Sequence, residues 1–392
     1  MIFLYVVFTL SLVALLLAGV LEQRRHLSSL YSIPIRVLVN GIRGKSSITR
    51  LCAGALRGGE LRVVAKTTGT DARFIWPDGA EAPIYRKFDT ANIVEQIGIV
   101  RQAAAERPDA LVIECMAVQP SLQEINQSKL IHSSIGVLCN VRDDHLDEMG
   151  PTLDDVARSL SRSMPENGVC ITAESKRYHV LEQEAANRSC RLVYADPESV
   201  SDADMQGFEF FTFKENVAIA LAVAREVGVG RADALRGMWQ AAPDPGVLTV
   251  EHFQIGKKAL RLANLFAAND PSSTVMGFDQ LLEEDEIRPP IFTLINCRPD
   301  RVERNRQMGT IVERLRTEKL FVVGQPSRSA TAAVPPAFGG TVTDLGGHDR
   351  DPAQIIRTIM EEVEAEASLV AIGNIHGQGE RLIDHLEDLA AR

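Results

Sequence analysis

Val39-Asn40-Gly41-Ile42-Arg43-Gly44-Lys45-Ser46-Ser47 leaves a β-branched apolar run, Ile35–Val39, and enters a stretch of helical character, Ser46–Leu56. A loop of this kind, between a buried strand and a helix, turns backbone N–H groups toward one point. The helix N-terminus adds a favourable partial charge there, and the combination accepts a phosphate. In such loops a lysine in the place of Lys45 reaches the terminal phosphates of a nucleotide, and a hydroxyl in the place of Ser46 holds Mg²⁺. The strict pattern puts a glycine where Val39 stands; here Gly41 lies inside the loop instead. The plain alternative is a strand, a turn and a helix with Lys45 facing solvent.

Working outward, apolar strands and helical segments alternate. Strands are predicted at Leu61–Ala65, Ala110–Ile113, Ser134–Cys139, Gly168–Thr172 and Arg191–Tyr194, with helices at Ile93–Glu106 and Leu153–Ser163 and a helix-rich stretch from Lys214 to Gln240. This pattern implies a doubly wound parallel sheet. Ala242-Pro243-Asp244-Pro245-Gly246 interrupts it, and a second alternation follows, with strands at Ile291–Asn296, Leu320–Val323 and Leu369–Ile372 and helices at Ser273–Leu282, Val302–Arg316 and Gln354–Ala365. The expectation is an α/β chain: a central domain over 34–246 carrying the loop, and a smaller Rossmann-like α/β domain over 247–392.

Before these comes a different segment. Ile2–Leu21 holds no charged residue, and twenty residues of helix span about 30 Å, the thickness of a bilayer's hydrocarbon core. Arg24 and Arg25 follow it, so the positive-inside rule keeps the rest of the chain in the cytoplasm. The reading is a single-pass transmembrane anchor over 1–21 and a juxtamembrane linker over 22–33. A cleaved signal peptide expects a basic start and a shorter apolar core. The net charge of −10 argues against nucleic acid as a partner. Six scattered cysteines with no Cys-x-x-Cys pair read as reduced core residues.

Three further loops follow predicted strands. Leu111-Val112-Ile113-Glu114 places a carboxylate at a strand end, where open α/β sheets bind ligands and where Glu114 can ligate Mg²⁺. Asn140-Val141-Arg142-Asp143-Asp144-His145-Leu146-Asp147 sets acids around His145, a pattern suited to a metal or a phosphate and equally to a structural histidine. Lys66-Thr67-Thr68-Gly69-Thr70-Asp71-Ala72-Arg73 is rich in donors, and Thr67, Thr68, Thr70, Asp71 and Arg73 are candidate substrate contacts.

The phosphate loop, Glu114 and Asp144-His145-Leu146-Asp147, in this order, resemble the Mur ligase superfamily. With Ala242–Gly246, Phe266-Ala267-Ala268-Asn269-Asp270-Pro271, Asn296-Cys297-Arg298-Pro299-Asp300-Arg301 and Gly373-Asn374-Ile375-His376-Gly377, the chain is similar throughout to the ligase subunits of bacterial poly-γ-glutamate synthases. The resemblance implies ATP-dependent amide ligation through an acyl phosphate, forming ADP. Glutamate and the poly-γ-glutamate chain would be the substrates, at the cell membrane and beside other membrane subunits, with a homo-oligomer left open. It implies nucleotide contacts from Asn40, Gly41, Ile42, Arg43, Gly44, Lys45, Ser46, Ser47, Asn216, Asn269, Arg298 and Asp300. Mg²⁺ would be held by Ser46, Glu114 and His145, with Mn²⁺ as a substitute, and Lys45, Glu114 and His145 would be the catalytic set. Two departures stand out. Leu160 occupies the place of a family lysine, and Val247 that of an arginine after the hinge. The competing readings are a membrane-bound phosphate-loop kinase or transport ATPase, and a nucleotide-binding assembly subunit without activity.

Overall fold

The computed structural model describes residues 2–390 apart from 69–71, 87–91, 209, 211, 245–248, 267, 269, 284 and 348. The chain divides into two compact units, Met1–Asp244 and Pro245–Arg392.

The first unit is built on an eight-stranded sheet. Its strands are β1 (Ile35–Asn40), β2 (Val63–Lys66), β3 (Arg73–Ile75), β4 (Glu81–Pro83), β5 (Ala110–Glu114), β6 (Ile135–Leu138), β7 (Val169–Thr172) and β8 (Arg191–Tyr194). Their spatial order is β4-β3-β2-β5-β1-β6-β7-β8. β1 lies inside, parallel to β5 on one side and β6 on the other. That position explains its unbroken apolar run: Val37 and Val39 pack into the core on one face and Leu38 into the core on the other. β3 and β4 pair antiparallel at the edge, a short hairpin that the periodicity does not reveal. Helix α2 (Lys45–Gly58) follows the loop and packs on one face. It lies against the helix Arg231–Trp239 at close range, since a Cβ on Gly54 would sit 2.6 Å from the Gly237 carbonyl oxygen.

Helix α1 runs unbroken from Ile2 to Tyr31. It is long and apolar enough to cross a membrane, and none of its most apolar window is buried. The stretch expected as a linker is therefore helix as far as Tyr31. The physical reason is packing. His26, Leu30 and Ile33 turn inward at near-helical spacing, and Leu30 and Ile33 join the core beneath β1, β2 and β5. His26 Nε2 is 2.9 Å from the Leu130 carbonyl oxygen, and Glu22 pairs with Arg101 on helix α3 (Glu95–Ala105). The last turns of α1 belong to the first unit's core.

The second unit carries β9 (Thr249–Ile255), β10 (Lys258–Asn264), β11 (Ile291–Cys297), β12 (Lys319–Gly324), β13 (Thr341–Asp344) and β14 (Glu366–Gly373) in the order β13-β12-β11-β14-β10-β9. All neighbours are parallel except the β9–β10 hairpin. The central pair β11 and β14 is buried along nearly its whole length. All six cysteines are buried and unpaired.

Removing residues 2–21 should leave the first unit folded, because none of that stretch is in its core. Removing residues 2–33 also strips Leu30 and Ile33, each worth about 1.5–3 kcal/mol of burial. A lower melting temperature for the longer deletion alone, followed by circular dichroism, is the expected outcome.

Candidate functional site

Parallel register brings the first two motifs together. Val39 pairs with Glu114 across β1 and β5, so the carboxylate emerges level with the start of the phosphate loop. Its Oε2 accepts a hydrogen bond from Ser46 Oγ at 2.8 Å and another from the Thr68 backbone N–H at 2.8 Å. Glu114 is nearly fully buried, so its carboxyl oxygens need hydrogen-bond partners within the protein. One oxygen thus joins three segments: the loop, the end of β5 and the stretch after β2.

The loop takes its shape from two glycines and an asparagine. Gly41 has φ 140°, and a Cβ there would sit 2.8 Å from Cys139 Cβ. Gly44 has φ 75° and caps α2. Asn140, at the end of β6, holds Arg43 by both backbone groups: its Oδ1 accepts from Arg43 N at 3.1 Å and its Nδ2 donates to Arg43 O at 3.0 Å. Arg43 also pairs with Asp144 at 2.8 Å. Lys45 Nζ donates to the carbonyls of Gly41 at 2.8 Å and Ile42 at 3.1 Å, folding over its own loop. The Asn216 amide oxygen lies 3.7 Å from the position a Cβ on Gly44 would take, so the asparagine stands beside the loop. Cys139 lies directly under it. Burial pushes its thiol up to about 12, keeping it protonated.

Several expected residues have other places. Asn40, expected at the phosphates, turns its amide inward to Gln123 Oε1 at 2.7 Å and Ser163 Oγ at 2.9 Å. It anchors the base of the loop, because a central-strand side chain on that face has only core to enter. Thr67 Oγ1 accepts from the Arg73 backbone N–H at 3.1 Å, so it pins the two ends of its own loop. Thr70 and Asp71 lie outside the described residues, as do Gly246, Val247 and Asn269. His145 adopts a left-handed backbone conformation, half exposed, with its ring nitrogens 3.7 Å from Asp144 and 3.8 Å from Glu148. Among the described residues no group of three His, Cys, Asp or Glu side chains could hold a metal ion. Leu160 is fully buried in the core beside Val156 and Leu181. In the second unit Arg298 and Asp300 form a two-point ion pair, 2.9 Å at each contact. Asn305 accepts from the Arg298 N–H at 3.2 Å and donates to its carbonyl at 2.9 Å.

Some residues of the site escape the sequence reading. Glu174, just past β7, accepts from Val141 N at 2.9 Å and Lys176 N at 2.9 Å, tying the β6 loop to the β7 loop. The strand-end rule that marks Glu114 also marks Glu174. Arg50 on α2 is buried and pairs with Glu81 at 2.7 Å and Asp244 at 3.2 Å. Nothing in its local sequence distinguishes it from a surface arginine.

The donor set suits a hard cation. A hydroxyl and a carboxylate oxygen, converging at a helix N-terminus, match the oxygen preference of Mg²⁺ or Mn²⁺. The loop's N–H groups and Lys45 suit the phosphates beside it.

Comparison with known proteins identifies the family. Residues 39–228 match the Mur ligase middle domain, and residues 250–389 match the poly-gamma-glutamate synthase CapB C-terminal domain. The capsule biosynthesis protein CapB of Bacillus anthracis is 37% identical over 374 residues, covering 95% of this chain and 80% of that protein. The PGA synthase CapB of Bacillus subtilis (strain 168) is 34% identical over 378 residues, covering 95% of each. Among solved structures, E. coli FolC in complex with ADP has a TM-score of 0.68 at 15% identity, covering 94% of this chain and 93% of that one. A bifunctional folylpolyglutamate synthase/dihydrofolate synthase with Mn, AMPPNP and L-glutamate bound has a TM-score of 0.65 at 13% identity, covering 93% of each. At these identities the structural likeness is one of fold.

Asn140→Ala should free the loop at both of its bonds to Arg43. The expected outcome is nucleotide affinity lowered by roughly tenfold, with about 1–3 kcal/mol of stability lost. Isothermal titration with ADP, alongside thermal melting, checks both.

Proposed function

The chain belongs to the CapB family of poly-γ-glutamate synthases, and on that premise we infer that it is an ATP-dependent ligase joining glutamate through γ-linkages into poly-γ-glutamate. The observation that carries this reading for the site is the Ser46–Glu114 contact at the mouth of a phosphate loop. ATP and a divalent cation are its cofactors. The chemistry passes a phosphoryl group to a terminal carboxylate of the growing chain, giving an acyl phosphate and ADP. An incoming amine then displaces phosphate to form the amide.

Each side chain has a part consistent with that sequence. Lys45 would leave the loop carbonyls for the β- and γ-phosphates, where its charge offsets the charge gathering on the transferred group. The backbone N–H groups of Gly44 to Ser47 would orient those phosphates, while those of Ile42 and Arg43 are held by Asn140. Ser46 and Glu114 would hold the cation, which supplies charge neutralisation and alignment. His145, in the loop after β6 just before the short helix Leu146–Met149, is proposed as an outer ligand of the same cation. Asn216, placed beside Gly44, is proposed to contact the nucleotide, with Asn269, Arg298 and Asp300 as further contacts. Thr68, Thr70, Asp71 and Arg73 are proposed for the glutamate substrate.

The uncharged stretch Ile2–Leu21 supports a single-pass membrane anchor, with Arg24 and Arg25 on the cytoplasmic side. Other membrane subunits are proposed as partners, since a charged polymer made beside the bilayer needs a route across it. A kinase or transport ATPase has no use for a second unit that matches the CapB C-terminal domain.

Membranes carrying the protein, given ATP, Mg²⁺ and labelled glutamate, should form polymer with one ADP released for each new amide bond. ATP consumed without polymer, in the presence of the partner subunits, would overturn the ligase reading. Lys45→Ala should lower turnover by roughly a hundredfold or more with an unchanged fold. Glu114→Gln should raise the Mg²⁺ requirement more than His145→Ala does, read from metal titrations of turnover. The reverse order would make His145 the principal ligand.

A further inference from the structure

Ser46, Arg50, Gly54 and Gly58 recur every fourth residue and form one ridge along α2. A later stretch of chain follows that ridge in the opposite direction. At Gly58 it passes with the Asp233 carbonyl, too close for any side chain. At Gly54 it passes with Gly237 and Ala241, where an added Cβ would sit 2.6 Å from the Gly237 carbonyl oxygen and 2.9 Å from Ala241 Cβ. At Arg50 it reaches Ala242 and Asp244. Two glycines thus let the helix Arg231–Trp239 and the residues after it run back along α2 at backbone contact, toward the phosphate loop. The first unit ends at Asp244 and the second begins at Pro245, so the chain leaves the first unit beside Arg50. Arg50 stands one turn of α2 past Ser46, about 6 Å along the helix axis.

Arg50 grips that exit from a buried position. Its Nε donates to Asp244 Oδ1 at 3.2 Å, and its Nη1 donates to Glu81 Oε2 on β4 at 2.7 Å and lies 3.5 Å from the Ala242 carbonyl oxygen. Its Nη2 is buried with no hydrogen-bond partner among the described residues. A buried guanidinium with an unmet donor is costly, and an apolar side chain of similar volume would avoid that cost. Stability alone therefore does not call for an arginine here. The β3–β4 hairpin has a second hold on α2, since Arg57 donates to the Trp76 carbonyl at 3.1 Å. What Arg50 adds is a grip on the last residue of the first unit.

We propose that Arg50 fixes the root of the connection between the two units to the phosphate-loop helix, and that this hold sets how well the second unit's Arg298 and Asp300 are placed for the nucleotide. The inference rests on the reading that those two residues contact the nucleotide. Arg50 is a positioning residue that acts through Asp244. Without it the phosphate loop would stay intact, while the second unit's residues would be less well placed for each turnover.

The test separates turnover from nucleotide binding in the full-length protein. Turnover is polymer formed by membranes given ATP, Mg²⁺ and labelled glutamate, and binding is isothermal titration with ADP. Arg50→Met should lower kcat about tenfold or more, while ADP affinity, carried largely by the phosphate loop, falls by less than about threefold. Asp244→Ala should give the same split, and the double variant should lose no more than either single one, because both cut the same contact. Glu81→Gln should leave kcat near the wild-type value. Equal losses in kcat and ADP affinity would make Arg50 a local support of the phosphate loop and overturn the proposal, as would an unchanged kcat or multiplied losses in the double variant. Where Arg50→Met does not fold, Asp244→Ala and Glu81→Gln still decide: the split in the first with retention in the second is required. Arg298→Ala is the control for the premise. A wild-type kcat in that variant would remove Arg298 from nucleotide handling, a result distinct from any failure at Arg50.

Discussion

The first unit's site depends on one carboxylate oxygen. Glu114 Oε2 receives the Ser46 hydroxyl and the Thr68 backbone N–H, each at 2.8 Å, from segments far apart in the chain. The parallel register of β1 and β5 makes this meeting obligatory, because it sets Glu114 level with Val39 at the start of the loop. A one-residue slip would turn Glu114 to the opposite face and leave a charge in the core. The strands are buried on both faces, so such a slip would also misplace every apolar side chain. Sheet packing and site geometry are therefore the same constraint.

Around that contact the protein builds rigidity from buried polar groups. Asn40 is fixed beneath the loop by Gln123 and Ser163, Asn140 holds Arg43 from the side, and Glu174 holds the β6 loop from β7. Each group replaces bonds to water with bonds of defined direction, so the net gain in stability is modest and the gain in definition is large. A loop already held in one shape loses less entropy when it binds a ligand. Lys45 rests on the carbonyls of Gly41 and Ile42 in the same frame.

Helix α1 has two environments along one rod. Its first twenty residues face outward and are apolar, while His26, Leu30 and the following Ile33 are core residues of the first unit. The outward-facing turns and the turns that enter the core belong to one unbroken helix, Ile2–Tyr31.

The sequence by itself determined the alternating α/β order, the strand–loop–helix around Gly41–Lys45, the strand-end position of Glu114 and the apolar N-terminal helix. Each of these is a local property: periodicity, glycine placement or an uncharged run writes it into adjacent residues. The family resemblance rested on motifs of the same local kind. Tertiary structure decided which polar groups meet. Nothing near Asn40 marks its amide as bound for Gln123, and nothing near Arg50 marks it as the partner of Asp244. The β3–β4 and β9–β10 hairpins were likewise hidden, being short or at sheet edges where period-2 alternation is weak. So was the fate of residues 22–31, whose mixed composition reads as linker until Leu30 and Ile33 find a core to enter. Pairing partners far apart in sequence are set by sheet register and helix packing, and those exist only once the chain has closed on itself.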